Sequence, residues 1–153
     1  MSVDSSFDYC LELNSLSKSH NMAGWRVGMV VGSRNNINTI LKVKSNIDSG
    51  MYYGIQKGAI EALCLNSSWY KSLNKIYLER REIVYKICDK LGLTYDKNST
   101  GMFVWAKINS LDTSSIEFVD NLLYNKEIFI TPGSIFGTNG EGYVRLSLCL
   151  SQD

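Results

Sequence analysis

The feature that most constrains this chain is a polar loop enclosed by two short apolar runs. Residues 9–13 alternate between apolar and polar side chains, which is typical of a β-strand. Residues 27–32 are almost wholly apolar and short enough to form a second, buried strand. The loop between them holds three serines, one lysine and one arginine. Hydroxyls and a guanidinium close to an amine suit a phosphate whose carrier also needs an amine partner.

The spacing within this loop resembles the pyridoxal-phosphate attachment motif of class I/II aminotransferases. In that motif Ser-x-Ser-Lys is followed, after seven further residues, by Arg-x-Gly, and Ser15, Ser17, Lys18, Arg26 and Gly28 fill it without a gap. The resemblance implies that Lys18 is the catalytic residue and forms a Schiff base with pyridoxal 5'-phosphate. It also implies that Ser15, Ser17 and Arg26 hold the phosphate of the cofactor. A lone Ser-x-x-Lys would instead be interpreted as a solvated lysine in a loop.

A second part of the resemblance lies between residues 131 and 147. The runs Thr-Pro-Gly-Ser-Ile-Phe-Gly and Tyr-Val-Arg-Leu-Ser look like the end of the aminotransferase small domain. There the arginine, here Arg145, binds the α-carboxylate of the substrate, and a planar guanidinium matches a carboxylate with two hydrogen bonds. From the apolar strand alone, an edge position with Arg145 reaching solvent would be the simpler explanation, because an unpaired charge is costly to bury.

The composition indicates a globular protein with one substantial core. The chain has 153 residues, of which 44% are hydrophobic and 20% charged, and a net charge of +1. That charge implies no nucleic-acid partner, and no run is apolar and long enough for a membrane span or a signal peptide. We therefore expect a cytoplasmic protein. The four cysteines form no Cys-x-x-Cys pair, so we expect buried reduced thiols and no metal site.

The periodicity of apolar residues predicts the order of helices and strands. Ser33 is a helix N-cap, and Ser114 is a second one. Apolar residues at three- and four-residue steps predict a long helix over 69–91, with Gly92 as its C-cap. The remaining predicted elements are a short helix at 56–65 and strands at 93–95, 102–108, 127–131 and 142–150, with a glycine-rich loop at 134–142.

The predicted fold class is α/β with an α+β small domain, as in the C-terminal part of a fold type I pyridoxal-phosphate-dependent transferase. By resemblance, residues 1–48 are the end of the large cofactor-binding domain and residues 67–153 are the small domain. Residues 49–66 link them, and the two glycines and two tyrosines at 50–54 predict a bend. This bend fits either a dimer interface, as in the family, or packing between helices. Because the resemblance covers only the C-terminal part of such an enzyme, we expect the chain to be a fragment.

The implied function is transfer of an amino group between an amino acid and a 2-oxo acid, in a homodimer. The fragment alone is expected to be inactive. Lys18, Arg26 and Arg145 do not separate transamination from a lyase reaction on the same scaffold. The same residues would also fit a non-catalytic aminotransferase-like module of a transcription regulator, or a piece of an interrupted reading frame. They do not identify the substrate.

Overall fold

The computed structural model describes residues 8–110 and 112–151. The chain divides into two compact units, Met1–Asn66 and Ser67–Asp153. Every strand pair in the described part is antiparallel. Within the same residues, no helix combines the length and the apolar composition that a membrane span requires.

The first unit consists of a two-stranded hairpin and helices. Strand β1 is Leu11–Ser15 and strand β2 is Gly28–Gly32, so both predicted strands are confirmed, with shifted ends. The predicted burial of the second strand is wrong, because none of the residues of β2 is buried within the described part of the chain. Between them lie a one-turn helix, α1, at Leu16–Ser19 and a 3₁₀ turn at Ala23–Trp25. Helix α2 spans Arg34–Ile47 and helix α3 spans Tyr53–Leu63.

The core of the first unit is small. Its buried apolar side chains are Leu16, Met22, Val27 and Ala59. The helical spacing of residues 56–65 predicts that Ala59, Ile60, Leu63 and Cys64 point inward. Ala59 is buried, but Ile60, Leu63 and Cys64 are exposed, so the prediction is wrong for these three. With Ala59 as its one buried position, α3 leaves most of its apolar surface uncovered within the unit.

The second unit is a four-stranded sheet with two helices. Helix α4 is Ser67–Lys90 and helix α5 is Ser115–Lys126. The strands are β3 (Leu93–Tyr95), β4 (Phe103–Ile108), β5 (Thr131–Pro132) and β6 (Tyr143–Ser147), in the order β3-β4-β6-β5. The buried apolar residues of α4 and α5 pack on one face of this sheet, and the core includes Val84, Cys88, Val104, Val119 and Val144. These elements confirm the predicted α/β class with an α+β second half.

The region between α5 and β6 differs from the prediction. The strand expected at 127–131 is reduced to Thr131–Pro132, because Glu127 ends α5 in the left-handed conformation (φ 57°) and a 3₁₀ turn begins at Gly133. The glycine-rich loop contains a second 3₁₀ turn at Thr138–Gly140. β6 is also shorter than the strand predicted at 142–150.

The cysteines differ in environment. Cys88 is fully buried, and this burial, together with the nearby Asp89 carboxylate, raises the pKa of its thiol to about 11. Cys64 and Cys149 are exposed, so the expectation that all four thiols are buried is wrong. Both lie just beyond the end of an element, where the chain leaves the packed layer.

Candidate functional site

The hairpin of the first unit brings the two halves of the lysine motif together. Ser15 lies opposite Gly28 in the register of β1 and β2, and the Leu16 amide donates to the Val27 carbonyl at 3.2 Å. A Cβ on Gly28 would lie 2.8 Å from the carbonyl oxygen of Asn14, so only glycine fits where the strands approach. Residues 15–18 therefore lie beside residues 26–28 at one end of the hairpin.

Buried apolar residues fix the backbone of this loop. Leu16 is 1% exposed, and its carbonyl accepts from the amides of His20 (3.1 Å) and Met22 (3.3 Å). His20 is itself buried, and its Nδ1 is 2.8 Å from the hydroxyl of Ser19. His20 thus packs within the loop. Because the apolar side chains turn inward, the polar side chains between them turn toward solvent.

The polar side chains of the motif have the donors that a phosphate needs. Ser15, Lys18 and Arg26 are exposed and Ser17 is half-buried. The Ser15 hydroxyl oxygen accepts from the Ser17 amide at 3.2 Å, which leaves the O–H of Ser15 as a donor. The Arg26 Nη1 donates to the Ala23 carbonyl at 2.8 Å, and within the described residues no other hydrogen bond of this guanidinium is found. Two hydroxyls, a guanidinium and an amine on one loop fit the chemistry of pyridoxal phosphate.

Arg26 also has an unusual backbone conformation. Its φ is +51°, in the left-handed region that residues other than glycine, asparagine and aspartate adopt rarely. Such a conformation costs on the order of 1 kcal/mol and persists only where the surroundings impose it. Here the adjoining 3₁₀ turn imposes it, and the guanidinium bonds back to that turn at Ala23. The position of this side chain is therefore determined by the local backbone.

Arg145 lies on the central strand β6 of the second unit. It is opposite Trp105 of β4 on one side and Thr131 of β5 on the other. The alternative of an edge position, which the apolar pattern of this strand alone would favour, therefore does not apply. Arg145 is half-buried, and it borders a groove of about 470 Å³ whose walls are mainly apolar side chains of α4 and of residues 128–130.

Two aromatic rings contact the guanidinium of Arg145. Its central carbon is 4.3 Å from the ring centroid of Phe103 and 4.4 Å from that of Phe136. Among the residues that the structure describes, no hydrogen bond or ion pair to Arg145 is found. The rings therefore hold the cation while its N–H donors stay available. The sequence interpretation missed both phenylalanines, although the alternation of β4 already placed Phe103 and Trp105 on one face.

The predicted site residues fall into two groups. The structure brings together Ser15, Ser17, Lys18 and Arg26 on the loop of the first unit. Arg145 belongs to the second unit. Their roles in binding a cofactor and a substrate stay predictions.

A carboxylate fixes the loop that carries Phe136. Ser115 is fully buried; its amide donates to the Glu141 Oε1 at 2.6 Å and its hydroxyl to the Oε2 at 3.1 Å. The Gly142 amide donates to the Oε1 as well, at 3.1 Å. The backbone donors at Ser115 and Gly142 stabilise the charged form and hold the pKa of Glu141 below its ordinary value. The anion thus ties the start of α5 to the start of β6.

Protonation of Glu141 is expected to weaken the second unit. A carboxyl whose pKa is lowered by folding stabilises the folded state above its ordinary value near 4.5, and this stabilisation is lost as the pH falls through the lowered value. Urea unfolding of the chain, measured from pH 7 downward, should therefore show less pH dependence below about 4.5 for Glu141→Gln than for the unaltered chain. Glu79→Gln, at an exposed position of α4, is the control. Equal pH dependence in all three proteins would contradict the role of Glu141.

Comparisons with known proteins show the family. The family model for aminotransferase class I and II matches residues 2–153. LL-diaminopimelate aminotransferase of Nitratidesulfovibrio vulgaris (strain Miyazaki F) is 39% identical over 153 residues, which are 100% of this chain and 39% of that protein. The enzyme of the same name from Maridesulfovibrio salexigens is 41% identical over 146 residues, or 95% of this chain and 37% of that protein.

Solved structures give the same result. Substrate-bound BacF from Bacillus subtilis has a TM-score of 0.83 and 38% identity over 93% of this chain and 36% of that chain. The aromatic aminotransferase of Pyrococcus horikoshii has a TM-score of 0.86 and 30% identity over 97% of this chain and 40% of that chain. The chain spans about 39% of the length of the first curated relative. Because the family model matches nearly every residue, the chain belongs to the class I and II aminotransferases.

Proposed function

We propose that the complete protein carrying this chain is an aminotransferase that uses pyridoxal 5'-phosphate. The observation that carries this proposal is the arrangement of Ser15, Ser17, Lys18 and Arg26 at one end of a hairpin. The family membership supports it, because the family model matches residues 2–153 and therefore includes this loop. The first unit would then be the end of the large domain, and the second unit the small domain.

Lys18 has two roles in this proposal. Its Nζ would be the point of covalent attachment for the cofactor, which would supply an electron sink for the substrate α-carbon. As a free amine, the Nζ would accept the proton of the α-carbon as a general base. An amine does this only in its uncharged form. The hydroxyls of Ser15 and Ser17 and the guanidinium of Arg26 bind the phosphate and so fix the cofactor beside Lys18.

Arg145 binds the α-carboxylate of the amino acid. Its N–H donors have no partner among the described residues, and its guanidinium matches a carboxylate with two parallel hydrogen bonds. Holding the carboxylate in this way fixes the direction of the α-C–H bond, which a proton transfer requires.

The substrates are an amino acid and a 2-oxo acid. The two curated relatives compared with this chain are both named LL-diaminopimelate aminotransferases, so LL-diaminopimelate is the amino donor to test first. We further propose a homodimer. Exposed aromatic side chains at the start of α3 support this, since Tyr52 is 76% and Tyr53 66% exposed.

Chemical trapping tests the proposed function. The complete protein, incubated with pyridoxal phosphate and reduced with borohydride, should lose its visible absorption band. Peptide mapping should then find the added mass on the peptide that contains Lys18. Lys42, exposed on α2, is an internal reference for unspecific labelling. Attachment at another lysine, or none, would contradict the assignment.

A further inference from the structure

The outward face of the second unit's sheet carries a continuous row of aromatic rings. Trp105 stacks on Tyr143, with ring centroids 5.6 Å apart and an angle of 16° between the planes. The same ring meets Phe136 edge-on, at 5.7 Å and 67°. Phe136 in turn contacts Arg145, which also contacts Phe103. Arg145 therefore lies between two rings of this row, as a cation within an aromatic surface.

The sheet register places Phe103 against Arg145. Phe103 lies opposite Ser147, two residues beyond Arg145 on β6, so the two side chains are diagonal neighbours on one face. Long and aromatic side chains reach each other across such a diagonal. The contact is thus set by strand pairing and does not depend on a loop.

Phe136 reaches the same cation from a loop that the fold holds tightly. Gly133 and Gly140 touch through their backbones, and a Cβ on Gly140 would lie 2.0 Å from the Gly133 carbonyl oxygen. The hydroxyl oxygens of Ser115 and Ser134 are also within hydrogen-bond distance of each other, at 3.0 Å, in addition to the contacts of Ser115 with Glu141. The 3₁₀ turn that ends at Phe136 therefore has a fixed position within the second unit.

An arginine side chain can be held by a carboxylate or by aromatic rings. The two kinds of partner differ in how much of the positive charge, and how many of the N–H donors, remain available to a ligand. A carboxylate partner would neutralise the guanidinium and occupy the N–H donors that an anionic ligand needs. Aromatic rings attract the cation through their negative faces and take none of its hydrogen bonds. They also limit the rotamers of a long side chain that otherwise has many.

We propose that Phe103 and Phe136 are positioning residues that fix the Arg145 guanidinium for a carboxylate ligand. The proposal rests on the proposed function in one respect, namely that the ligand is the α-carboxylate of the substrate. The rings act through Arg145 and do not touch the reacting atoms. Their removal should therefore weaken substrate binding. The chemical step should change much less, because Arg145 itself still holds the carboxylate once the substrate is bound.

Steady-state kinetics of ring variants of the complete protein test this. In the double variant Phe103→Leu/Phe136→Leu, the KM for the amino acid should rise about tenfold, as expected for the loss of two cation–π contacts, and kcat should change less than about threefold. Phe103→Tyr and Phe136→Tyr keep the rings and should keep the KM. Tyr124→Leu removes an exposed ring elsewhere in the unit and is the matched control. Trapping at Lys18 should be unaltered in every variant.

A second measurement does not depend on activity. Ring currents of Phe103 and Phe136 should shift the NMR signals of the Arg145 δ and ε protons, and the leucine variants should remove that shift. If the double variant does not fold, Phe136→Leu alone carries the test, because this side chain is half exposed. An unchanged KM and an unchanged NMR shift in a folded leucine variant would overturn the proposal. If the unaltered protein transfers no amino group, the proposed function is overturned instead. The NMR comparison of the unaltered protein with the leucine variants would then still show whether the rings position Arg145.

Discussion

Replacing Lys18 by alanine is expected to abolish amino-group transfer by the complete protein. The variant loses both the point of attachment and the base, and a positioned general base alone contributes about 10²–10⁴-fold to a rate. Single-turnover kinetics with an amino acid, together with the visible spectrum, measure both losses. The free energy of unfolding of the cofactor-free protein should change by less than about 0.5 kcal/mol, because Lys18 is exposed.

Lys42→Ala is the matched control for this variant. It removes the same charge from an exposed position of the same unit, on helix α2. Transfer should be retained in this control. A Lys18→Ala protein that transfers amino groups at the rate of the unaltered protein would assign the chemistry to another residue.

Helix starts were predictable because their signals are local in sequence. The hydroxyl of Ser33 accepts from the amide of Asn36, and that of Ser114 accepts from the amide of Glu117. The Glu117 carboxylate accepts in return from the Ser114 amide at 3.0 Å, which completes a capping box. Each contact spans three residues, so residue type and spacing suffice to predict it.

Strand ends and inward faces were less predictable, because they depend on partners distant in sequence. The apolar run at 128–130 resembles a strand, yet only Thr131 and Pro132 pair with β6. Ile116 has the spacing of a core residue on α5 and is 51% exposed. Periodicity indicates which face of an element is apolar. Whether that face is buried depends on which other elements pack against it, and these are formed by other parts of the sequence.

The candidate site shows the same difference between local and distant determinants. The lysine motif is local in sequence, whereas the surroundings of Arg145 depend on residues distant in sequence. Ser15, Ser17, Lys18 and Arg26 are close in sequence, so their spacing already indicated a common site. The contacts of Arg145 with Phe103 and Phe136 require the β4–β6 register and a fold of the glycine-rich loop. Neither can be derived from the sequence pattern of one strand.

Substituting lysine for Arg145 in the complete protein is expected to raise the KM for amino acids and to lower kcat/KM. Lysine keeps the positive charge but has no planar pair of donors for a carboxylate, and it loses the delocalised cation that the rings of Phe103 and Phe136 contact. The cost should be on the order of 2–3 kcal/mol, the range for hydrogen bonds to charged groups. Steady-state kinetics over a range of amino acid concentrations measure it.

The affinity for the cofactor separates this effect from a loss of the fold. Arg145 belongs to the second unit and the phosphate donors to the first, so trapping at Lys18 should be unchanged in Arg145→Lys. Arg34→Lys, at an exposed position in the first turn of α2, makes the same exchange away from the rings and should leave the kinetics unaltered. Kinetics of Arg145→Lys equal to those of this control would show that the guanidinium binds no carboxylate. Because β6 is paired on both sides at Arg145, its contacts with the two rings would then serve packing alone.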